Sequence, residues 1–167
     1  MTETKKQTEE AFNKNVERLN KQVEDTMKRA FFDLLEQKVA SEPPDYDWLT
    51  RLYTEIRDKL TRLLKPTSKT RKHIEENMDP EFFHQLISNN VFEPKSFYAL
   101  VCFIFEQIKL MCSPGRDKET DEKLQELLDH FNSGNATFAT MVPMFIKNAN
   151  YCIDNIYLAI QNLSKMA

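Results

Sequence analysis

Glycine is scarce in this sequence, with only two among its 167 residues, Gly115 and Gly134. Folds made only of β-strands need many tight turns, and such turns use glycine where the backbone takes a positive φ. The scarcity therefore argues against an all-β protein and favours helices. A chain of this length forms one ordinary domain and buries enough surface for a hydrophobic core.

Long apolar runs are absent as well. The longest, residues 97–105, has nine residues, whereas a membrane-spanning helix needs about 20. Residues 1–22 contain no apolar segment of the kind that secretory signals carry. We therefore expect a cytoplasmic protein without a transmembrane segment.

Cysteine is also rare, and its number is odd. The spacing of Cys102, Cys112 and Cys152 matches neither a disulfide framework nor a zinc ligand set. All three lie among apolar residues, which predicts buried free thiols in a reducing compartment. The three histidines fall on three different predicted helices, and the sequence has no recognisable nucleophile–base pair or phosphate loop. It therefore predicts no catalytic, metal-binding or cofactor-binding residues and no enzyme activity.

Neither sign of charge dominates the whole chain. The formal net charge is −3 and the pI is about 5.7, which gives no global reason to expect nucleic-acid binding. The local balance is uneven, because residues 51–72 contain eight basic side chains against Glu55 and Asp58. The segment 117–129 is acidic instead.

Two interpretations of the basic segment stay open. Its side chains either form ordinary solvated faces, neutralised in part by the acidic segment, or form a docking surface for an acidic partner, a phosphate group or an anionic membrane. Tyr53 is the only aromatic residue in the segment, so specific nucleic-acid binding is not expected.

The candidate partner-binding site is the basic surface of this segment. The apolar face of the helix is expected to turn toward the core, so Arg57, Lys59 and Arg62 are expected to point outward. The predicted partner-binding residues are Arg57, Arg62, Lys65, Lys69, Arg71 and Lys72.

Apolar residues recur at steps of three and four along most of the chain, which is the period of an amphipathic helix. Pro43 and Pro44 end the first helix, and Pro44 fits the first turn of the second. Asp79-Pro80-Glu81 is typical of a helix start. The predicted helices cover about residues 8–39, 44–64, 68–78, 80–88, 94–112, 117–132 and 136–164.

Short connections favour antiparallel neighbours. The predicted fold is therefore all-α, an antiparallel helical bundle of about six or seven helices. Residues 1–25 carry only a thin apolar stripe and are predicted to form a polar amphipathic extension, either a coiled-coil arm or a frayed lead-in. The bundle is expected to occupy residues 26–167.

The helix at about 94–112 is expected to lie at the centre of the bundle. Its apolar residues occur on almost every side, so only surrounding helices can cover them. Phe97, Val101, Phe103 and Phe105 are predicted to be buried there.

Two separated motifs resemble those of a known family. The first consists of Ala30-Phe31-Phe32-Asp33, Glu42-Pro43-Pro44-Asp45-Tyr46 and Leu52 through Glu55-Ile56, and the second is Met111-Cys112-Ser113-Pro114-Gly115-Arg116-Asp117. Their order and the helix pattern between them resemble the N-terminal part of the T-complex protein 11 domain, over about residues 26–160. Ser113 and Gly115 depart from the usual second motif, and family domains continue beyond the length of this chain.

The resemblance implies a non-enzymatic protein. Family members are associated with cAMP-dependent protein kinase signalling and, in animals, with sperm function. The resemblance therefore implies a regulatory or scaffold module that binds protein partners. The residues alone also allow a lipid- or small-ligand-binding bundle that acts at an anionic membrane surface, with a cavity in its Phe- and Met-rich interior.

The matching residues have expected structural roles. Asp117 is expected to cap the helix that follows, and Arg116 to contact the carbonyl groups that end the preceding one. Tyr46 and Trp48 are expected to pack the corner made by the two prolines.

Overall fold

The computed structural model describes residues 2–88, 93–112 and 114–166. Within these ranges the chain forms seven α-helices, one short 3₁₀ helix and no β-strand, which confirms the predicted all-α fold. The chain divides into two compact units, Met1–Lys38 and Val39–Ala167. The helices are α1 (Thr2–Ala40), α2 (Tyr46–Arg62), α3 (Lys69–Asn77), α4 (Pro80–Ser88), α5 (Pro94–Met111), α6 (Asp117–Asn132) and α7 (Phe138–Met166), with the 3₁₀ helix at Pro114–Arg116.

The first unit is a single long helix. α1 begins at Thr2, earlier than the predicted residue 8, and continues through residues 25 and 26, where the bundle was expected to start. A single helix cannot bury its own side chains, and apolar residues such as Phe12 and Leu19 are exposed. No helix in the described part of the chain is both long enough and apolar enough to cross a membrane.

In the second unit, aspartate side chains cap the first turns of α2 and α4. The Asp45 carboxylate accepts a hydrogen bond from the Trp48 amide at 3.1 Å, so α2 begins at Tyr46 and Pro44 precedes it. The expectation that Pro44 lies in the first turn is wrong. Asp45 is the N-cap residue, because its side chain accepts from an amide of the first turn, so the helix begins one residue after it. Asp79 caps α4 as predicted, accepting from the Glu81 amide at 3.0 Å.

The last helix, α7, joins α2 to α5 and α6 in this unit. It packs against α2, α5 and α6, while α2 also packs against α3 and α4. Pro143 lies inside α7 without ending it. The fully buried apolar residues of α7 are Met141, Val142, Phe145, Ile146, Ala149 and Ile153.

Aromatic pairs connect the helices within the core. Tyr53 of α2 stacks on Phe83 of α4 with ring centres 4.0 Å apart. Phe97 of α5 meets Phe145 of α7 edge to face at 5.6 Å. All four rings are fully buried, so a phenylalanine-rich core is confirmed.

The hydrophobic helix α5 is a core helix, but it is not covered on every side. Phe97, Val101 and Phe105 are buried as predicted. Phe103 is only half-buried, with its ring edge-on to His73 at 5.1 Å, and Leu110 is 73% exposed. The prediction of a buried Phe103 is therefore wrong, because α5 is covered mainly from the side of α6 and α7.

Replacing Phe97 with alanine should test this core. The fully buried ring leaves a cavity when it is removed, so we expect the free energy of unfolding to fall by about 3–5 kcal/mol. Urea-induced unfolding followed by circular dichroism measures the loss. Phe82→Ala is the control, because its ring is 53% exposed and its removal should cost less than about 1 kcal/mol. Similar losses in both variants would contradict this core.

Candidate functional site

The basic segment covers the end of α2, the loop after it and the start of α3. Four of the six predicted partner-binding residues have exposed side chains: Arg62, Lys65, Lys69 and Lys72. We call these four residues the exposed basic cluster. Lys72 lies 3.9 Å from Glu76, which is a weak contact at the surface.

Of the other two predicted residues, Arg57 connects α2 with α3, and Arg71 connects α3 with the segment that follows α2. A guanidinium nitrogen of Arg57 donates to the carbonyl of Glu75 at 3.2 Å. Arg71 pairs with the Glu75 carboxylate at 2.9 Å and donates to the carbonyl of Leu64 at 3.2 Å. The Nε of Arg57 is buried without a hydrogen-bond partner among the described residues. The expectation that Arg57 points outward is therefore wrong.

Lys59 connects α2 with α7. Its Nζ donates to Asn150 Oδ1 at 3.2 Å and lies 3.4 Å from Asp154 Oδ1. The hydroxyl of Tyr157 also donates to the Lys59 carbonyl at 2.6 Å. Lys59 is thus partly buried against α7 rather than directed outward, whereas Arg62, one turn later, is exposed as expected.

The acidic segment on α6 has partners other than the basic surface. Asp121 pairs with Lys109 of α5 at 3.0 Å, and Glu119 pairs with Arg116 at 3.1 Å. Glu126 contacts Lys123 within α6. The ion pairs of the acidic segment in the described residues therefore use cations outside 51–72, so the acidic segment does not neutralise the exposed basic cluster.

A cleft of about 170 Å³ lies between the end of α5, the start of α6 and the second half of α7. It is smaller than the roughly 300–1,000 Å³ of typical ligand pockets. The cleft could not be predicted from the sequence, because residues far apart in the chain form its walls. They are Met111, Cys112, Arg116, Glu119, Thr120, Cys152, Asn155, Ile156, Ala159, Ile160 and Leu163.

The second family motif forms one end of this cleft. Ser113 lies outside the described residues. Asp117 is the first residue of α6 rather than its cap, and its carboxylate accepts a hydrogen bond from the Cys112 thiol at 2.9 Å. Arg116 pairs with Glu119 instead of the carbonyl groups that end α5. Both expected roles are therefore replaced by side-chain contacts.

The three cysteines are free, as predicted, but only Cys152 is buried, while Cys102 and Cys112 are half-buried. Burial raises the pKa of Cys152 to about 11. Burial and the hydrogen bond to Asp117 raise the pKa of Cys112, because the neighbouring carboxylate disfavours a thiolate. A protonated thiol is a poor nucleophile.

The histidines make structural contacts. His84 Nε2 lies 3.3 Å from Asp47 Oδ1, and its ring meets Tyr46 edge-on. His130 Nε2 lies 2.7 Å from Thr140 Oγ1, which joins α6 to α7. Across the described ranges, no three His, Cys, Asp or Glu side chains are grouped so as to hold a metal ion.

Alanine substitution should separate the structural cations from the exposed ones. Arg57→Ala removes the bond to α3, and we expect the free energy of unfolding to fall by about 1–2 kcal/mol. Arg62→Ala should leave it nearly unchanged, since this side chain is exposed. Thermal and urea unfolding measure both. Equal stability of the two variants would show that Arg57 does not hold α3.

Asp117→Asn should increase the reactivity of Cys112. The amide carries no charge, so the pKa of the thiol should fall and its alkylation at pH 8 should accelerate severalfold. Mass spectrometry after timed iodoacetamide treatment measures the rate. Asp121→Asn is the control, because Asp121 pairs with Lys109. An unchanged rate in Asp117→Asn would contradict the role assigned to its carboxylate.

Comparison with known proteins gives consistent matches. The chain is 28% identical to the T-complex protein 11 homolog of Rattus norvegicus over 152 residues, which is 90% of this chain and 26% of that protein. It is 29% identical over 147 residues, or 87% of this chain, to T-complex protein 11 of Mus musculus and to the T-complex protein 11 homolog of Homo sapiens, covering 25% and 28% of those proteins. The chain thus spans about a quarter of the length of these curated relatives. No solved structure matches it.

The family match includes both motifs. The family model described as T-complex protein 11 matches residues 8–159, and so begins within α1, earlier than the expected residue 26. Because this match covers most of the sequence, the chain belongs to the T-complex protein 11 family.

Proposed function

We propose that this protein is a non-enzymatic helical module that binds an acidic protein partner in the cytoplasm and acts as a regulatory or scaffold component. The binding surface is the exposed basic cluster at the junction of α2 and α3. The main support is that three of its four cations, Arg62, Lys65 and Lys69, form no ion pair within the described residues. The acidic residues of α6 pair with cations outside the cluster.

Local structure supports the same proposal. Arg57 of α2 donates to the Glu75 carbonyl in the second half of α3, and Arg71 joins the start of α3 to Leu64, just after α2. The Ser68 side chain caps α3 by accepting from the Arg71 amide at 3.3 Å. The exposed cations therefore lie at the end of α2, in the short connection after it and at the start of α3, and hydrogen bonds hold these parts together. A fixed array of cations loses less conformational entropy on binding than one on a flexible tail.

A lipid- or small-ligand-binding bundle is the second candidate. The cleft of about 170 Å³ is small for a ligand pocket, and its cation Arg116 is already paired with Glu119. These features favour the docking module. An anionic membrane would contact the same exposed basic cluster, so it is tested beside a protein partner.

The family resemblance makes cAMP-dependent kinase signalling the first setting to test. We include in the proposal that the partner belongs to this pathway. Purified regulatory and catalytic subunits of the kinase are therefore the first protein probes. Affinity capture from a cell extract with mass spectrometry extends the search if neither subunit binds.

Charge reversal at the centre of the cluster tests the proposal. Lys65→Glu/Lys69→Glu should weaken partner binding by at least about tenfold, while the melting temperature stays nearly unchanged. The control, Lys95→Glu/Lys118→Glu, makes the same change in net charge at exposed positions on α5 and α6. Binding of the wild type and of the control should fall as salt concentration rises.

Three results would oppose the docking module. If the wild type, the cluster variant and the control variant bind equally well, the interface lies elsewhere. If only the cluster variant unfolds, the replaced lysines stabilise the fold and are not a docking surface. Binding to phosphatidylserine vesicles without any protein partner would support the membrane alternative.

A further inference from the structure

The connection between α2 and α3 contains a tight turn. The Ser68 amide donates to the Lys65 carbonyl at 2.9 Å, which closes a four-residue turn with Pro66 and Thr67 at its centre. Proline suits the first central position, because its ring fixes φ near the value that the common turns need. Pro66 and Thr67 are both exposed, so the turn presents Thr67 to solvent.

The Thr67 hydroxyl differs from the other hydroxyls that lie between helices. Ser41 and Ser133 donate to backbone carbonyl groups. Ser68 caps α3, and Thr137 contacts a hydroxyl in the first turn of α7. Among these inter-helix hydroxyls of the described residues, only that of Thr67 has no hydrogen bond. A covalent group can therefore be added to it without breaking a contact.

Cations flank this hydroxyl in the sequence. Lys65 precedes Thr67 by two residues and Lys69 follows it by two, and both lysines are exposed. The other members of the exposed basic cluster, Arg62 and Lys72, each lie five residues from Thr67. Protein kinases discriminate among substrates by the pattern of charges beside the acceptor hydroxyl. This pattern fits a kinase that selects cations on both sides of its acceptor.

The neighbouring hydroxyls are poorer acceptors. Ser68 is half-buried, and its side chain accepts from the Arg71 amide, so a modification there would remove the cap of α3. Thr70 is half-buried in the first turn of α3 and could enter the cleft of a kinase only if the helix unwound. Thr67 needs only the exposed turn to open, which costs less than unwinding a helix.

We propose that Thr67 is phosphorylated by a kinase that selects cations on both sides of its acceptor, and that the phosphate lowers the affinity of the exposed basic cluster for an acidic partner. The kinase transfers the γ-phosphoryl group of ATP. The bond between Thr67 Oγ1 and phosphorus forms, the P–O bond to ADP breaks, and the hydroxyl proton passes to the catalytic carboxylate of the kinase.

The charge of the phosphate explains the expected effect on binding. A phosphothreonine carries about −1.5 to −2 at pH 7, which offsets up to about half of the four positive charges in the exposed basic cluster. Its oxygens also accept strong hydrogen bonds from lysine ammonium groups. The effect on affinity rests on the proposed function, whereas the modification itself does not.

Treatment of the full chain with protein kinase C and ATP–Mg²⁺ tests the modification. This kinase is the probe because it selects cations on both sides of its acceptor. Peptide mapping by mass spectrometry should find the phosphate on Thr67. Thr67→Ala should lower phosphate incorporation at least about tenfold, whereas the matched control Thr70→Ala should leave it within about twofold.

The flanking lysines are tested in the same assay. Lys65→Glu/Lys69→Glu should slow phosphorylation at least about tenfold, while Lys95→Glu/Lys118→Glu leaves the rate within about twofold. A chain that stays unmodified, or that carries the phosphate mainly on Ser68 or Thr70, would overturn the assignment.

Binding of fluorescent poly-L-glutamate, followed by anisotropy at low salt, tests the effect of the phosphate. The phosphorylated chain should bind this acidic polypeptide at least about threefold more weakly than the untreated chain. Thr67→Ala, treated with the kinase in the same way, should bind as the untreated wild type does.

Equal affinity of the phosphorylated and untreated chains would overturn the regulatory effect. If the untreated chain does not bind poly-L-glutamate, or if Lys65→Glu/Lys69→Glu binds it equally well, the proposed function and the regulatory effect fail together. The position of the mapped phosphate decides the modification site in either case.

Discussion

The buried face of α7 is the interaction on which the second unit depends most. One helix supplies apolar side chains to α2, α5 and α6 at once, and each large side chain removed from water contributes about 1.5–3 kcal/mol. A buried amide adds a directional contact, because Asn148 donates to the Lys123 carbonyl and to the Glu126 carboxylate, both at 3.0 Å. Satisfied polar groups of this kind fix how α6 lies on α7.

This packing determines which cations of the basic segment contact neighbouring helices and which remain exposed. α2 contacts α7 on one side and α3 on another, so cations on those sides bind neighbouring helices. Lys59 faces Asp154 of α7, and Arg57 reaches the carbonyl of Glu75 on α3. The exposed cations that remain in this segment are Arg51 and those at the end of α2 and beyond it. The candidate surface thus consists of the predicted cations that do not contact a neighbouring helix. It has four of the six residues that the sequence predicted.

Much of the fold could be predicted from the sequence, because its signals are local. Asp79 and Pro80 marked the start of α4 through capping chemistry, and apolar periodicity located the buried face of α2. Phe103 and Arg57 were mispredicted for one reason. Periodicity shows which side of a helix is apolar, but not whether another helix covers that side or offers a carbonyl to a nearby guanidinium.

The cleft and the role of Asp117 could not be predicted either. The cleft is formed where α5 and α6 meet the far end of α7, and no sequence signal connects residues so distant. Asp117 lies at a helix start, where capping is the common role, yet its carboxylate accepts the Cys112 thiol. The family motifs were recognisable because they combine prolines, acids and aromatic residues in a fixed order.

Lysine footprinting with and without a bound partner tests the central claim most directly. An amine-reactive reagent followed by mass spectrometry reports the reactivity of each lysine in one sample. In the free protein, Lys65, Lys69 and Lys72 should react faster than Lys59, which contacts α7. With the partner bound, the three exposed lysines should be protected while Lys95 and Lys118 are not. Protection elsewhere, with these three lysines still reactive, would contradict the proposed docking surface.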